Sequence, residues 1–281
     1  KFTQSPEFFN QTYQPQLKRS KDLSDRIGQL MLAAYILLFL LFLVLPLGAL
    51  IIKSVQDSKG HFIGLSNYAL YLKEPALFQS FFNSLFIAIV STIFVVVFAF
   101  LFAYAITRTC MPFKGFFRLI ALIPLLSPSI LAAIALVYWF GNKGILKALL
   151  FGHSIYGPIG IILASIYWTF PHALMILSTS LSLSDSRLYE AAEVLKTSKL
   201  RAFLTITIPG ARYGIISTTF VVFTQVFTDF GVPKVIGGNY NVLATDIYKE
   251  VVGMQNFQMG AVISLVLLIP AMVAFFIDQY S

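Results

Sequence analysis

Six apolar runs set the limits on what this chain can become. They cover about 31–52, 81–106, 119–140, 155–183, 213–232 and 260–277. Each reaches or exceeds the length, roughly 17–25 residues, that a helix needs to cross about 30 Å of hydrocarbon. Lipid offers backbone groups no hydrogen-bond partners, so such runs must pair their own N–H and C=O groups as helices. The expected fold is an all-α membrane protein with six transmembrane helices. Composition agrees: 58% of the 281 residues are hydrophobic and 11% are charged, where soluble domains carry about a quarter charged. The first run starts too late and is too long to be a cleaved signal peptide.

The net charge of +8 would suit a nucleic-acid partner, but the basic residues are scattered between apolar runs instead of striped along one face. They read better as a topology signal, and the bilayer is the partner they imply. Thirteen of the 20 Lys and Arg fall on one side. They are Lys1, Lys18, Arg19, Lys21 and Arg26, then Arg108, Lys114 and Arg118, then Arg187, Lys196, Lys199, Arg201 and Arg212. The other side holds seven: Lys53, Lys59, Lys73, Lys143, Lys147, Lys234 and Lys249. The excess places the N-terminus in the cytoplasm, although Lys53, Lys59 and Lys73 run against the rule. The expected organisation is a cytoplasmic tail over 1–30 and a transmembrane region over 31–281, with a cytoplasmic insert at about 184–212.

Prolines interrupt several runs. Pro124 and Pro128 lie in the third, Pro171 in the fourth and Pro270 in the sixth. The carbonyls they free must be satisfied by neighbours or water. Ordinary kinking of packed helices accounts for this; the sharper alternative is that kinks around 122–129 shape a translocation path. Asn83, Ser84, Ser127 and Ser129 are candidates for its polar lining.

The insert is too polar to span. Ser184, Asp185 and Ser186 offer N-cap oxygens. Leu188, Ala191, Ala192 and Leu195 then form an apolar stripe at helical spacing, and Arg187 is placed to pair with Glu190. A second short helix from about Ser198 carries Leu200, Phe203, Leu204 and Ile206, and Pro209-Gly210 ends it. Such a pair could dock in a partner's groove. It could equally lie on the membrane surface, for which Lys196, Lys199 and Arg201 are suited.

At this point the residues resemble a family. Glu190-Ala191-Ala192, followed by Ile206-Thr207-Ile208-Pro209, is similar to the EAA signature of ABC importer inner-membrane permeases. That pattern places a Gly six positions after the Glu and ends on I-x-L-P. Here Lys196 stands at the Gly position and Ile208 replaces the Leu. The resemblance covers about 30–278. It implies a type I importer permease fold in a bacterial inner membrane, with the insert as a coupling helix. It also implies ATP-hydrolysing subunits, a second permease half and an extracytoplasmic binding protein as partners. Glu190, Ala191, Ala192, Lys196, Ile206, Ile208 and Pro209 are the coupling residues it points to. A Lys tolerates positive φ poorly, so the turn after the first insert helix is expected to differ from the pattern, or the coupling to be looser.

The chain has no G-x-x-x-x-G-K-[ST] phosphate loop, so it is not itself the ATPase. Cys110 is alone, no metal-ligand spacing occurs, and no cofactor is expected. His172 follows Pro171 in a span, where a structural hydrogen bond is the commoner role and a path-lining one the alternative. Residues 225–248 hold Gln225 and Asp229, then Gly231, Pro233, Gly237 and Gly238. Asp229 is costly in lipid unless it faces protein or water. The segment is either an ordinary outer loop or a gate or docking surface, and Asp229, Gln225, Pro124, Ser127 and Pro128 are the candidate gate or path residues. Its DFGVP…GG…N-x-L-A-T-x-I-Y wording resembles permeases for ferric iron, 2-aminoethylphosphonate and polyamines, some of them fused pairs of halves. The start at Lys1 and the stop at Ser281 fit one half of a longer polypeptide. An ion-coupled secondary transporter is the second function class, although such proteins tend to carry midplane charges and the runs here are nearly free of acids. An integral membrane enzyme would need a His, Asp or Glu cluster at one face, and none is present.

Overall fold

The computed structural model describes residues 23–185 and 187–280. Lys1, Lys18, Arg19, Lys21 and Ser186 lie outside the described residues. Helix dominates, and no strand occurs among the described residues apart from an isolated bridge between Gln56 and Phe62. Four helices are long and apolar enough to cross a membrane, or up to six if each of two bent pairs is one span.

The chain forms two compact units that divide at Ala49–Leu50. The first contains most of α1, Asp25–Ser54. Its π-helical turn, Leu40–Val44, comes just ahead of Pro46. The wider turn accommodates a residue that has no N–H and whose ring would crowd the preceding carbonyl.

The second unit is built around α3, Pro75–Arg108, and α6, Pro158–Leu183. These two pack along each other, and α9, Arg212–Phe227, lies against both. Ser84, Ala88, Ser91, Val95, Ala99 and Ala103 recur along α3 and are all buried. Lipid removes the usual hydrophobic drive between helices, so association depends on close contact through small residues. Gly214 of α9 shows how close: a Cβ there would lie 2.4 Å from Ser180 Cβ. Helix α12, Phe257–Tyr280, packs on α9 and on the short α2, Ser66–Lys73. Both α6 and α12 run on through their prolines, Pro171 and Pro270.

Two runs depart from the sequence expectation. The third is not one rod. Helix α4, Lys114–Leu122, continues as a tight turn at Ile123–Leu126 and stops. Helix α5, Ser129–Phe140, then leaves at 104°. Ser127 precedes a proline, which pushes it out of helical geometry; it is extended, at φ −113° and ψ 141°. The freed Pro124 carbonyl accepts both the N–H of Ser127, at 3.1 Å, and its hydroxyl, at 3.0 Å. The fifth run, expected over 213–232, ends at Phe227. Gly231 and Val232 belong instead to a separate short helix, α10, Gly231–Ile236, which packs on α5. Asp229 sits in the break.

Candidate functional site

The insert folds as two short helices. In α7, Arg187–Val194, the Arg187 N–H donates to Asp185 Oδ1 at 2.9 Å. Ser184 serves the preceding helix, donating to Leu181 O at 2.9 Å. Ala192 is buried, whereas Glu190, Ala191, Leu188 and Leu195 are exposed. Most of the predicted apolar stripe is therefore not used to pack the chain itself. The expected Arg187–Glu190 pair does not form among the described residues.

Lys196 adopts φ +52°, a left-handed conformation that Gly takes at least cost. Its N–H donates to Glu193 O at 2.9 Å, and the Thr197 N–H donates to Ala192 O at 2.9 Å. That pair of bonds is the Schellman arrangement, which satisfies the last carbonyls of a helix. Lys196 thus makes a left-handed turn with both carbonyls satisfied, at a cost of about 1–2 kcal/mol for a left-handed non-glycine residue.

The second insert helix, α8, runs Lys199–Gly210 and meets α9 at 64°. Ser198 caps it, accepting the Arg201 N–H at 3.3 Å. A π-turn at Phe203–Thr207 precedes Pro209, as one precedes Pro46. Ile206 and Ile208 are half-buried and Pro209 is exposed. Phe203 meets Phe100 and Tyr104 of α3 edge-on, at 5.9 and 5.1 Å.

One residue joins these pieces. Arg108, the last of α3, donates to Leu181 O at 2.6 Å and to Ser184 O at 3.2 Å. It also donates to the Ser184 hydroxyl, and its guanidinium stacks over the Tyr189 ring at 4.5 Å. The Tyr189 hydroxyl donates to the buried Thr207 at 2.9 Å. A cation thus closes the carbonyl end of α6, while the fork and flat face of the guanidinium hold acceptors and an aromatic ring together. Sequence reasoning counted Arg108 only as a topology charge. The available signal was Tyr189, an aromatic residue in an insert helix otherwise suited to close approach.

At the far end of α9 the path candidates come together in part. Asp229 accepts the Ser129 hydroxyl at 2.7 Å and the Val232 N–H at 2.9 Å. One carboxylate therefore joins the start of α5 to the start of α10. A Cβ on Gly231 would lie 2.7 Å from Ser129 Oγ and 3.2 Å from Ile130 N. Pro124 is buried, Ser127 half-buried and Pro128 exposed at the same break. Gln225 stands one turn before Asp229, with its Oε1 buried and without a partner.

Asn83 and Ser84 of α3, expected as path-lining residues, both bond to a later segment of the chain. Asn83 donates to Asn241 O at 2.9 Å, and Ser84 accepts the Leu243 N–H at 2.9 Å. They fasten the connection ahead of α11, Leu243–Tyr248, to α3. Beside it, buried Asp246 faces Lys249 at 3.5 Å. Burial, with a smaller contribution from the Asp246 charge, pushes the Tyr71 phenol up to about 12. His172 stacks edge-on with Trp168 at 5.9 Å, and its Nδ1 is buried without a partner.

A helical bundle with a small-residue core, a broken third run and an anchored insert is the architecture of a multi-pass membrane protein. Residues 111–281 match the family described as binding-protein-dependent transport system inner membrane component. The chain belongs to that family and is a multi-pass inner-membrane protein. It is 28% identical over 255 residues to the ferric transport system permease protein FbpB of Actinobacillus pleuropneumoniae, covering 88% of this chain and 37% of that one. It is 26% identical over 214 residues to the spermidine/putrescine transport system permease protein PotB of Escherichia coli, covering 73% and 78%. The chain thus spans about two-fifths of the ferric permeases it matches. In fold it is similar to the bacterial alginate ABC transporter solved with an alginate pentasaccharide-bound periplasmic protein. That likeness has a TM-score of 0.75 at 18% identity and covers 92% of this chain and 93% of that one.

Proposed function

We propose that the chain is one permease half of an ATP-driven importer, working with a second half, ATP-hydrolysing subunits and an extracytoplasmic binding protein. The N-terminus and the insert face the cytoplasm, as the Lys and Arg excess favours. Ferric iron is the preferred cargo, because the ferric permeases align over most of the chain; a polyamine is second. The phosphonate expectation gains no support from these relatives.

The observation that carries this reading is the state of the insert. Glu190 and Ala191 are exposed on a helix whose base Arg108 fixes to the ends of α3 and α6. A rigid base with a free outer face transmits force from a partner into the spans. In this reading Glu190, Ala191 and Ala192 meet the ATPase subunit, with Lys196 forming the turn and Ile206, Ile208 and Pro209 handing motion to α9. Asp229, Gln225 and the break at Pro124, Ser127 and Pro128 then form the moving part of the path. The chain supplies no phosphate loop, so hydrolysis belongs to the partner.

The test is iron uptake by the reconstituted transporter with Glu190→Arg. Uptake and binding-protein-stimulated ATP hydrolysis should both fall at least tenfold, and the ATPase subunit should co-purify less well. Normal uptake by that variant would refute the reading. Uptake that survives ATP depletion but collapses with the ion gradient would favour an ion-coupled secondary transporter.

A further inference from the structure

We propose that a cavity beside α4 is a binding site for the phosphate group of an anionic phospholipid. The cavity, about 410 Å³, opens where α3 and α6 end, at the same end as the insert. Lys114, Arg118, Thr107, Ser178, Thr179 and Ser182 line it, and no Asp or Glu does. Lys114 and Arg118 are one turn apart on α4, so both cations reach the same opening. Two positive charges without a counter-ion among the described residues select an anion.

Two further features point to a phosphate. Helix α4 begins after Phe113, at φ +57°, with no side-chain cap. Its first N–H groups, at Lys114 and Gly115, therefore border the cavity without an intrahelical partner, and a Cβ on Gly115 would meet nothing within 4 Å. An uncapped helix start is a ready site for a phosphate oxygen. Just beneath the wall lies a hydroxyl without a partner among the described residues. Thr107, Thr179 and Ser182 give their hydroxyl protons to carbonyls one turn back, at 2.7, 2.9 and 2.7 Å. The Ser178 hydroxyl, in a residue only 7% exposed, has no partner.

The source of the phosphate follows from the rest of α4. Phe116, Phe117, Leu119 and Ile120 are exposed on the same nine-residue helix. A short helix with two cations on one face and four large apolar side chains elsewhere lies at the level where headgroups meet acyl chains. Basic pockets between span ends at that level take anionic lipid headgroups. The site does not depend on the transport reading, since it needs neither the ATPase subunit nor a cargo.

The experiment uses the full permease in nanodiscs of phosphatidylethanolamine, with and without phosphatidylglycerol. Native mass spectrometry after mild delipidation counts retained lipid. The native protein should retain phosphatidylglycerol preferentially. Lys114→Gln with Arg118→Gln should weaken that retention about 25-fold, from about fivefold for each cation near the surface. The exchange Lys114→Arg with Arg118→Lys should restore it, which separates lost charge from lost folding. Ser178→Ala should weaken it less, and Lys143→Gln at an exposed outer turn should change nothing. Equal retention of both lipids by native and doubly substituted protein would overturn the proposal. So would inorganic phosphate in detergent giving the same thermal protection while phosphatidylglycerol adds none, since the source would then be a soluble ion. ATPase-subunit association, measured in parallel, should be intact in the double variant, so failure of the site and failure of the import reading are separable.

Discussion

The two regions that flank α9 are secured in different ways. At the insert end, one side chain does most of the joining: Arg108 takes two carbonyls, a hydroxyl and an aromatic face. At the far end the work is divided. Asp229 joins α5 to α10, Asn83 and Ser84 hold the connection ahead of α11, and the Ser127 groups close the Pro124 carbonyl. A bonding pattern concentrated in one residue allows the insert to move as a unit and leaves it open to a single substitution. A distributed pattern keeps its shape when one bond is lost. That contrast suits the proposed roles, transmission of motion by the insert and a shaped path at the break.

Arg108→Ala should therefore have the largest effect. It strands the α6 carbonyls and removes the ring contact, which together are worth about 2–4 kcal/mol, from about 1.5–3 for a charged hydrogen bond and about 0.5–1 for the cation–π contact. Thermal unfolding in detergent should show the loss, and transport per ATP hydrolysed should drop. Arg108→Lys should recover part of the stability but little of the coupling, because an ammonium lacks the fork and the flat face. Equal transport-to-hydrolysis ratios in the native protein and the Ala variant would remove Arg108 from the transmission route.

At the far end the most damaging change should be steric. Gly231→Ala sets a methyl against Ser129 Oγ and the Ile130 backbone, and overpacking of this kind costs about 1–3 kcal/mol. Ser129→Ala should relieve the nearer contact, at the cost of the Asp229 bond. If the double variant is no more stable than Gly231→Ala alone, the Ile130 backbone is the hard wall. Asn83→Ala comes next, at about 1 kcal/mol for one hydrogen bond, with the other fastenings intact. Hydrogen exchange at Leu243 should rise only slightly.

The same contrast explains what the chain's sequence discloses. Hydropathy finds the spans because lipid demands apolar length and intrahelical pairing. It marks the insert because those demands lapse there. Pro124 and Pro128 locate the third-span break, but a 104° turn depends on what α5 packs against, and periodicity carries no such information. Gly231 and Val232 pass as the end of a span because they are apolar, although Asp229 just before them supplies the cap that starts a new helix. The Arg108 contacts join residues 73 positions apart in sequence, and nothing local announces them. The positions named for coupling come from a motif, so their neighbourhood is legible only where the motif is short-range, as at the turn after α7.

That turn holds the smallest prediction, and one of opposite sign. Lys196 sits at φ +52° with both Schellman bonds made, so its side chain is dispensable to the geometry and a burden on it. Lys196→Gly removes a left-handed penalty of about 1–2 kcal/mol, while the greater freedom of Gly in the unfolded chain gives back roughly 0.5–1 kcal/mol. The net should be a gain of at most about 1.5 kcal/mol, visible as a small rise in Tm. Lys196→Val should move the other way, since a β-branched residue fits this conformation worst. Because the Schellman bonds fix the direction in which α8 leaves α7, the Gly variant should keep full transport. A Gly variant that is more stable yet transports less would show that the Lys196 charge itself takes part in transport, and would extend the proposed contact at Glu190 to the turn.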